Sequence, residues 1–389
     1  MARRSARRNV VRPIVFVTSS PAPYHPRHYY LMACALAEAG LPVVAMAQPH
    51  LGEHPAGPVP VVELPRHGGR FSRMVSGPRI LWRLARMRPG LIQVNCLDLL
   101  PWAVLARFLL RVPVTYDSNE DYSAYMLIKE WVPPWARPVL ARTVAWVEPA
   151  LASRLDAVST ADEGTAARFR SCASELSVVY NFPRRELAAA SGDQPKAPAI
   201  DVMYHGTLHS YYRDHIIEAA RRLSERGLSV RWCLAVRDAD LAEQEDLERR
   251  LRAAGVRDHF TLHFNLPFTL MPQLVAGARV GFIPLPDEQK YHVNLPRKLF
   301  EFLAAGVPAV VSDLPPIRAL VGASRSCVLV TPGDDDGYAN ALEGLLREPE
   351  RAAELGERGR QLIFDRLNAQ SAVAPYVELM RRLHASRSR

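Results

Sequence analysis

The chain has 389 residues, of which 48% are hydrophobic and 23% charged, so it is too long for one ordinary core and two domains are expected. Every apolar run ends well before the ~18 residues that predict a transmembrane helix, and Ile14–Val17 is too short for a signal peptide, so we predict a cytoplasmic protein. The formal net charge of +9 lies largely in arginine-rich tails, which favours peripheral membrane contact or solubility over a nucleic-acid partner.

The five cysteines are scattered along the chain and show no Cys-x-x-Cys spacing. They are Cys34, Cys96, Cys172, Cys233 and Cys327. An odd number without paired spacing argues against a disulfide framework or a zinc site, and it favours a reducing compartment.

In the first half of the chain, short β-branched segments alternate with longer helical patterns, which is typical of parallel sheets with helical crossovers. The predicted strands are Pro13–Thr18, Pro42–Ala47, Val59–Leu64, Leu91–Asn95, Val112–Asp117, Ala157–Thr160 and Leu176–Tyr180. The predicted helices are Arg27–Ala39, Phe71–Arg88, Leu99–Leu110, Pro134–Ser153 and Asp162–Cys172.

A polar stretch then predicts a linker, after which the same alternation begins again. The later predicted strands are Ala199–His205, Ser229–Ala235, Phe260–Phe264, Val280–Pro284, Ala309–Ser312 and Cys327–Val330. An amphipathic helix, Asn368–Ala385, follows, and Pro375 predicts a kink in it. The pattern predicts an α/β chain of two Rossmann-like domains with parallel sheets facing across a cleft. The predicted boundaries are 1–183, a linker at 184–199, 200–365, and a C-terminal helix at 366–389.

Residues 294–313 carry the clearest functional signal. They predict a helix that is entered through Pro296 and stops at Gly306. Lys298 and Glu301 are three residues apart and therefore share one helical face. A cation and a carboxylate beside a helix N-terminus can hold a diphosphate and a vicinal diol, which are the two polar ends of a nucleotide sugar. The alternative is a surface ion pair worth roughly 0.2–0.5 kcal/mol.

The strand that opens the second half runs into Gly206 and Thr207, and Arg213 follows shortly before an apolar helix. Glycine lets backbone N–H groups approach a phosphate, and an arginine can neutralise it. Strand–glycine–helix turns occur throughout α/β proteins, so an ordinary turn is an equal alternative.

Tryptophan and arginine are interleaved between Trp131 and Trp146. This mixture suits a membrane interface that holds a lipid-linked acceptor. It equally suits a helix that packs against the sheet with snorkelling arginines. We favour packing, because amphipathic core helices are the commoner case.

Residues 294–313 resemble the donor-binding helix of glycosyltransferase family 4, in the subset with an Asn-Leu-Pro-x-Lys form. This is a large retaining family of the two-Rossmann GT-B architecture. The turn at Gly206 resembles the one that opens the family's donor domain, and residues 114–122 resemble its Tyr-Asp-x-His-Glu segment. The resemblance is clear over residues 200–365 and fainter over residues 13–182.

The resemblance implies transfer of a sugar from a nucleotide-diphosphate sugar to a hydroxyl of a glycan, glycolipid or small metabolite, with no metal and no other cofactor. The catalytic residues that it implies are Lys298, Glu301, Arg213 and Asn119. The implied donor contacts are Gly206, Thr207, Leu266, His292, Asn294 and Leu295, and the acceptor candidates are Tyr24, His25, Arg27 and Glu120.

Two positions depart from the family pattern. Val293 stands where the first acid of a Glu-x7-Glu motif would be, and Asn119 stands where a histidine would be. Asparagine can donate a hydrogen bond to a sugar hydroxyl but cannot shuttle a proton. In a front-face retaining mechanism the leaving diphosphate can itself act as the base. The alternative hypothesis is a catalytically silent GT-B partner protein that binds nucleotide or supports another transferase. Nucleic-acid binding, suggested only by the basic charge, ranks last.

Overall fold

The structure is a computed structural model that describes residues 12–19, 23–49, 57–65, 76–127, 129, 132–186, 200–237, 239–266 and 270–386. The chain forms two compact units. The first comprises residues up to Asn181 together with those from Ala372 onward, and the second comprises Phe182–Ser371. Residues 187–199 of the predicted linker, and residues 71–75 of a predicted helix, lie outside the described residues.

A parallel sheet forms the centre of the first unit. Its strands are β1 (Ile14–Val17), β2 (Val43–Ala47), β3 (Val61–Glu63), β4 (Leu91–Val94), β5 (Val114–Ser118), β6 (Ala157–Thr160) and β7 (Leu176–Val178). They lie in the order β3-β2-β1-β4-β5-β6-β7 with every pair parallel. The central strands are buried on both faces, which explains their nearly continuous hydrophobic sequences.

The helices of the first unit cover both faces of this sheet. They are a π-helical segment (Pro26–Ala33) that continues into α1 (Cys34–Glu38), then α2 (Gly77–Met87), α3 (Leu100–Leu110), α4 (Tyr122–Leu127), α5 (Arg137–Ala152) and α6 (Glu163–Ala167). Proline stands in the first turn of α2, α3 and α5, where its missing N–H costs nothing. Helices connect most of the strands, as the long crossovers of a parallel sheet require.

The first predicted helix differs from the observed one in its hydrogen bonding. The N–H of Tyr30 donates to the carbonyl of His25 at 3.4 Å, and the N–H of Cys34 donates to Tyr29, both five residues back. The consecutive side chains of Arg27, His28 and Tyr29 are all buried. A 3.6-residue period cannot place three neighbouring residues on one face, so a sequence pattern read for α-helices could not identify this segment as π-helical.

The helix predicted between Trp131 and Trp146 does pack against the sheet, through Glu148 and Ala152, but its described tryptophans are exposed. Trp135, in the turn that enters α5, is 80% exposed, and Trp146 is 74% exposed. The buried residues of α5 are instead Ala141, Glu148 and Ala152. Trp131 lies outside the described residues.

The second unit repeats the architecture with its own parallel sheet. Its strands are β8 (Ile200–Gly206), β9 (Trp232–Val236), β10 (Phe260–Phe264), β11 (Ala278–Ile283), β12 (Ala309–Ser312) and β13 (Cys327–Val330). The order β10-β9-β8-β11-β12-β13 is the doubly wound order of dinucleotide-binding folds. Each predicted strand in this half overlaps an observed one. β9 begins three residues later than predicted because residues 229–231 are not paired in the ladder.

The helices of the second unit are α7 (Ser210–Glu225), α8 (Leu241–Ala253), α9 (Met271–Ala276), α10 (Arg297–Ala304), α11 (Pro315–Val321), α12 (Asp335–Arg347) and α13 (Pro349–Asp365). The predicted helix after Pro296 is therefore observed as α10. It ends where Gly306 adopts a φ of 69°, a left-handed conformation that suits glycine.

The last helix, α14 (Ala369–Ala385), packs on the first unit through Val373, Tyr376 and Met380. Pro375 lies within this continuous helix. No helix in the described ranges has both the length and the apolar character needed to span a membrane. All five cysteines are free thiols in this structure.

Candidate functional site

Three of the predicted donor-site residues, Gly206, Lys298 and Glu301, lie near the carboxyl end of β8. β8 ends at Gly206, Arg237 directly follows β9, and Lys298 and Glu301 lie on α10. In the strand order, β8 separates β9 from β11, so successive connections leave it in opposite directions. Open α/β sheets bind ligands at such a switch point.

The ammonium of Lys298 lies against aromatic rings. Its Nζ is 3.9 Å from the centre of the Tyr204 ring and 4.6 Å from that of Tyr212. A Cβ built on Gly206 would lie 3.5 Å from the same Nζ. The lysine therefore borders the backbone of the glycine turn, and cation–π contacts hold it while its N–H donors remain able to bind an anion.

Burial lowers the pKa of Lys298 to about 7, Glu301 opposes this effect, and the nearby charge of Arg237 adds to it. Ammonium and amine are therefore both present at neutral pH, and an entering anion would favour the ammonium. The backbone N–H of Arg237 donates to the carbonyl of Gly206 at 3.2 Å. The backbone of Arg237 therefore borders the glycine turn, and its charge acts on Lys298 there, so the positive charge in this region would attract a diphosphate.

Glu301 lies between two basic side chains. Its Oε1 is 2.7 Å from Nε of Arg297, and its Oε2 is 3.5 Å from Nε2 of His205. The carboxylate therefore pairs with the arginine four residues before it, and the i,i+3 pair with Lys298 does not form in the described structure. His205 is buried and its Nε2 makes no hydrogen bond. Burial lowers the pKa of His205 to about 4, so its ring is neutral at pH 7.

We expect His205 to make the protein less stable in mild acid. The pKa of His205 lies below that of an unfolded histidine, so between about pH 6.5 and 4 the unfolded chain binds the extra proton. The free energy of unfolding should fall by up to about 3 kcal/mol as the pH drops through this window. Urea unfolding of the wild type and His205→Gln at several pH values measures the difference.

His263→Gln, a partly exposed histidine on β10, is the matched control. The control should keep the wild-type pH slope, whereas His205→Gln should flatten it. Equal slopes in all three proteins would show that His205 does not titrate in this way.

The rings of Tyr204 and Tyr212 form an aromatic cage around the ammonium of Lys298. Contacts among three tyrosine hydroxyls hold the Tyr212 ring in place. The hydroxyl of Tyr291 lies 2.7 Å from that of Tyr211 and 2.8 Å from that of Tyr212. Burial raises the pKa of Tyr212 and of Tyr291, so both stay protonated. The hydroxyl of Tyr204 donates to the carbonyl of Thr207 at 2.7 Å, which orients the Tyr204 ring.

The segment before α10 contains two buried polar atoms without a hydrogen-bond partner, Oε2 of Glu288 and Oδ1 of Asn294. A buried acceptor without a partner is uncommon and suits a ligand hydroxyl. Leu295 is partly buried beside Asn294, and Leu266 is partly buried after β10. His292 is half-exposed and pairs with Asp287.

The predicted role of Arg213 needs correction. Its guanidinium lies 2.8 Å from Asp246 of α8 and 3.1 Å from Asp214. Two carboxylates therefore hold this arginine, and Arg237 is the arginine whose charge acts on Lys298. Sequence reasoning missed Arg237, although its position directly after a buried strand was a usable signal.

In the first unit, Asn119 and Glu120 follow β5. The hydroxyl of Tyr122 donates to Oδ1 of Asn119 at 2.7 Å, which leaves the amide N–H groups of Asn119 as the donors. The hydroxyl oxygen of Ser118 lies 3.3 Å from the backbone carbonyl oxygen of Glu120.

A buried carboxylate that the sequence did not reveal supports this strand end. Glu148 accepts hydrogen bonds from Tyr116 at 2.9 Å and from Ser118 at 2.8 Å, and it pairs with Arg168 at 2.9 Å. Burial raises the pKa of Glu148, and the arginine partly offsets that rise. Glu148 lies on α5, so no local motif pointed to it.

The acceptor candidate Arg27 also needs correction. It is 3% exposed, and its guanidinium forms a two-pronged pair with the buried Asp117 at 2.8 and 2.7 Å. Its role in this structure is to hold β5 to the π-helical segment. Tyr24 and His25 are partly buried, and the His25 ring stacks on His28 at 4.6 Å.

Two parallel-sheet units of Rossmann type, with a cation cluster at the switch point of the second, define the GT-B class of fold. Comparison with known families agrees. Residues 25–181 match the family described as "Glycosyl transferase 4-like domain", and residues 188–362 match "Glycosyl transferases group 1". The chain belongs to the GT-B glycosyltransferases of the family 4 type.

Two curated relatives share part of the sequence. Alpha-D-kanosaminyltransferase of Streptomyces kanamyceticus is 26% identical over 149 residues, and D-inositol 3-phosphate glycosyltransferase 2 of Catenulispora acidiphila is 29% identical over 117 residues. These matches cover 38% and 30% of this chain, and the chain spans 36% and 26% of the relatives' lengths.

Two solved structures share the fold over nearly the whole chain. Sucrose-phosphate synthase of Thermosynechococcus elongatus has a TM-score of 0.74 and 18% identity, and the match covers 96% of this chain and 100% of that one. Anabaena Alr3699/HepE in complex with UDP-glucose has a TM-score of 0.72 and 16% identity, with 95% and 100% covered.

Proposed function

We propose that this chain is a retaining glycosyltransferase that moves a sugar from a nucleotide-diphosphate sugar to a hydroxyl acceptor. The observation that carries the proposal is the ammonium of Lys298, which lies beside the glycine turn at Gly206 and one helical turn from the carboxylate of Glu301. A solved relative in fold binds UDP-glucose, so a uridine donor is the first to test.

The two ends of the donor match two features of the cluster. Lys298 and Arg237 would bind the diphosphate, since both charges lie at the carboxyl end of the sheet. Glu301 would accept hydrogen bonds from the vicinal hydroxyls of the ribose, with the guanidinium of Arg297, 2.7 Å away, holding the carboxylate in place. The unpaired Oδ1 of Asn294 would accept a hydrogen bond from a donor hydroxyl.

In the reaction the bond between the anomeric carbon and the diphosphate oxygen breaks, and the acceptor oxygen forms the new bond on the same face. The acceptor proton passes to the departing diphosphate. The charge that develops on the leaving group would be stabilised by Lys298, Arg237 and the N-terminus of α10, without a metal ion. In the first unit, the amide of Asn119 and the side chains of Glu120, Tyr24 and His25 remain candidates for hydroxyl contacts.

The acceptor class stays open among glycans, glycolipids and small metabolites. Assays with a uridine-diphosphate sugar and a panel of all three classes would identify it. The anomeric configuration of the product, measured by NMR, would test retention.

Thermal melting with a panel of nucleoside diphosphates and nucleotide sugars tests the donor site. A ligand at 100 times its Kd stabilises the native state by about 2.7 kcal/mol. We expect a selective rise in Tm with one nucleotide for the wild type, and its loss in Glu301→Ala because the ribose contact is gone.

Glu354→Ala is the matched control, since it removes an exposed i,i+4 ion pair with Arg358 in the same unit. It should keep the nucleotide response. Absence of any response at millimolar nucleotide would overturn the proposed donor site. A response without turnover on any acceptor would favour the catalytically silent partner.

A further inference from the structure

Three helices of the first unit share one side of its sheet and leave their other sides to solvent. Ile80 of α2, Ala103 of α3 and Ala152 of α5 belong to one buried cluster beneath the sheet face. α3 packs against both α2 and α5. The outward faces of α2, α3 and α5, with the turn that enters α5, therefore form one surface, called here the outer helical surface.

Large apolar side chains lie on the outer helical surface. The exposed ones are Trp82 on α2, Leu105, Phe108 and Leu109 on α3, Trp135 before α5, and Val139, Leu140 and Trp146 on α5. Residues 135, 139, 142 and 146 follow the i, i+4, i+7, i+11 spacing of a single helical stripe. Monomeric proteins rarely expose a contiguous apolar patch of this kind without a partner.

The charges on this surface are of one sign. In the sequence of α2, α3 and α5 the only carboxylate is Glu148, and it is fully buried. Arg79 and Arg142 are exposed and pair with no carboxylate among the described residues. Arg86 lies over the ring of Trp82, 4.7 Å from its centre.

The helices of the second unit show the opposite pattern. Their exposed arginines pair with carboxylates one turn away, as in Arg347 with Glu343 and Arg358 with Glu354. The absence of exposed acids from the three helices of the first unit is therefore a local property of the outer helical surface and does not reflect the composition of the whole chain.

A groove of about 800 Å³ opens at the end of α3, beside the exposed Phe108 and Leu109. Arg111 and Pro113 line it together with Arg107 and Asp156, whose side chains form an ion pair at 2.9 Å. Apolar groups and the guanidinium of Arg111 thus share one concave site at the edge of the outer helical surface, and a guanidinium suits an anionic headgroup.

We propose that the outer helical surface docks this protein on an anionic lipid bilayer. Tryptophan side chains prefer the interface between headgroups and acyl chains, and arginines one helical turn away would bind phosphate headgroups. A second copy of the chain is a poor occupant, because the same arginines would face each other across the interface. The proposal does not depend on the transfer reaction.

Flotation of the full-length protein with phosphatidylglycerol-containing vesicles, against vesicles of phosphatidylcholine alone, tests the proposal. The wild type should bind the anionic vesicles selectively. Phe108→Ser combined with Trp146→Ser, and Arg79→Glu combined with Arg142→Glu, should each weaken binding by roughly tenfold or more, because each removes one of the two contributions to interfacial binding.

Matched controls come from the second unit. Leu241→Ser removes a 76%-exposed leucine, and Arg358→Glu reverses an exposed arginine. Both should bind as the wild type does. The substituted surface residues are exposed, so all variants should keep the wild-type Tm.

Two results would overturn the proposal. Unchanged vesicle binding in both surface variants, with all binding abolished by salt, would assign the attraction to the arginine-rich tails. The second result would come from sedimentation velocity without lipid. If the wild type were an oligomer and the Phe108→Ser/Trp146→Ser variant a monomer, the outer helical surface would bind a second copy of the chain instead of a bilayer.

Discussion

Lys298→Ala is expected to lower kcat by about 10²–10³, because removing one preorganised donor to a developing anion has an effect of that size. The ammonium lies beside Gly206 and against the rings of Tyr204 and Tyr212, so its position is fixed before a ligand arrives. A group that is already in place stabilises the leaving diphosphate without reorganisation. Steady-state kinetics with a uridine-diphosphate sugar would measure the loss.

Lys290→Ala is the matched control, because Lys290 lies in the turn before α10. Its ammonium is also near an aromatic ring, 5.7 Å from the ring centre of Tyr291. It should retain most of the activity. Lys298→Arg should also be poor, since a planar guanidinium does not fit a cage sized for an ammonium. Equal activity of Lys298→Ala and the control would exclude Lys298 from the reaction.

The same lysine gives a pH dependence. The pKa of Lys298 in the free protein is lowered to about 7, and bound diphosphate should raise it. Donor binding then takes up a proton, so affinity should be highest below pH 7 and should weaken as the pH rises above it. Isothermal titration with the donor across this range would show the trend, and Lys298→Ala should lack it.

Much of the fold followed from periodicity, because buried parallel strands are short, β-branched and separated by helices of ordinary length. α10 was found correctly since Pro296 and Gly306 mark its ends. The π-helical segment was not found, because the forces that select it are contacts of Arg27 with residues ninety or more positions away. Such distant partners cannot be identified from the residues around Arg27 in the sequence.

The candidate site shows the same division. Gly206, Lys298 and Glu301 were predicted and lie together, because β8 ends at Gly206 and one face of α10 lies against that strand end. Arg213 was misassigned because a basic residue near a glycine turn can equally meet a carboxylate on the next helix, and Asp246 provides one. α5 was predicted to pack on the sheet and does so, but the sequence did not show that Trp146 is exposed, because burial depends on which face of α5 meets the sheet.

Arg27→Met is expected to destabilise the first unit by about 3–5 kcal/mol, because it leaves the carboxylate of Asp117 buried without its counter-ion. Asp117 is fully buried and also accepts hydrogen bonds from Ser159 at 2.8 Å and from the ring of His28 at 3.1 Å. Arg27 in turn donates to Asn181 at 2.9 Å. Calorimetry of the wild type and the variant would measure the loss.

Arg318→Met is the control, since Arg318 forms an exposed pair with Asp313 in the second unit. Its effect should stay within about 1 kcal/mol. If Arg27 were instead an acceptor contact, Arg27→Met would keep the wild-type unfolding profile and only raise KM for the acceptor. If Arg27 stabilises the fold, the variant changes the free energy of unfolding. If Arg27 contacts the acceptor, the variant changes only KM.

Measurements in acid distinguish the contribution of the Arg27–Asp117 ion pair to the free energy of unfolding from that of the surrounding packing. Burial alone would raise the pKa of Asp117, but the guanidinium of Arg27 outweighs burial and holds that pKa well below its usual range. Its contribution to stability is therefore present above the ordinary carboxyl pKa of about 3.9 and is lost as the pH falls below it. The stability difference between the wild type and Asp117→Asn should shrink over that acidic range. A difference that persists there would come from the hydrogen bonds to Ser159 and His28, which do not need the charge.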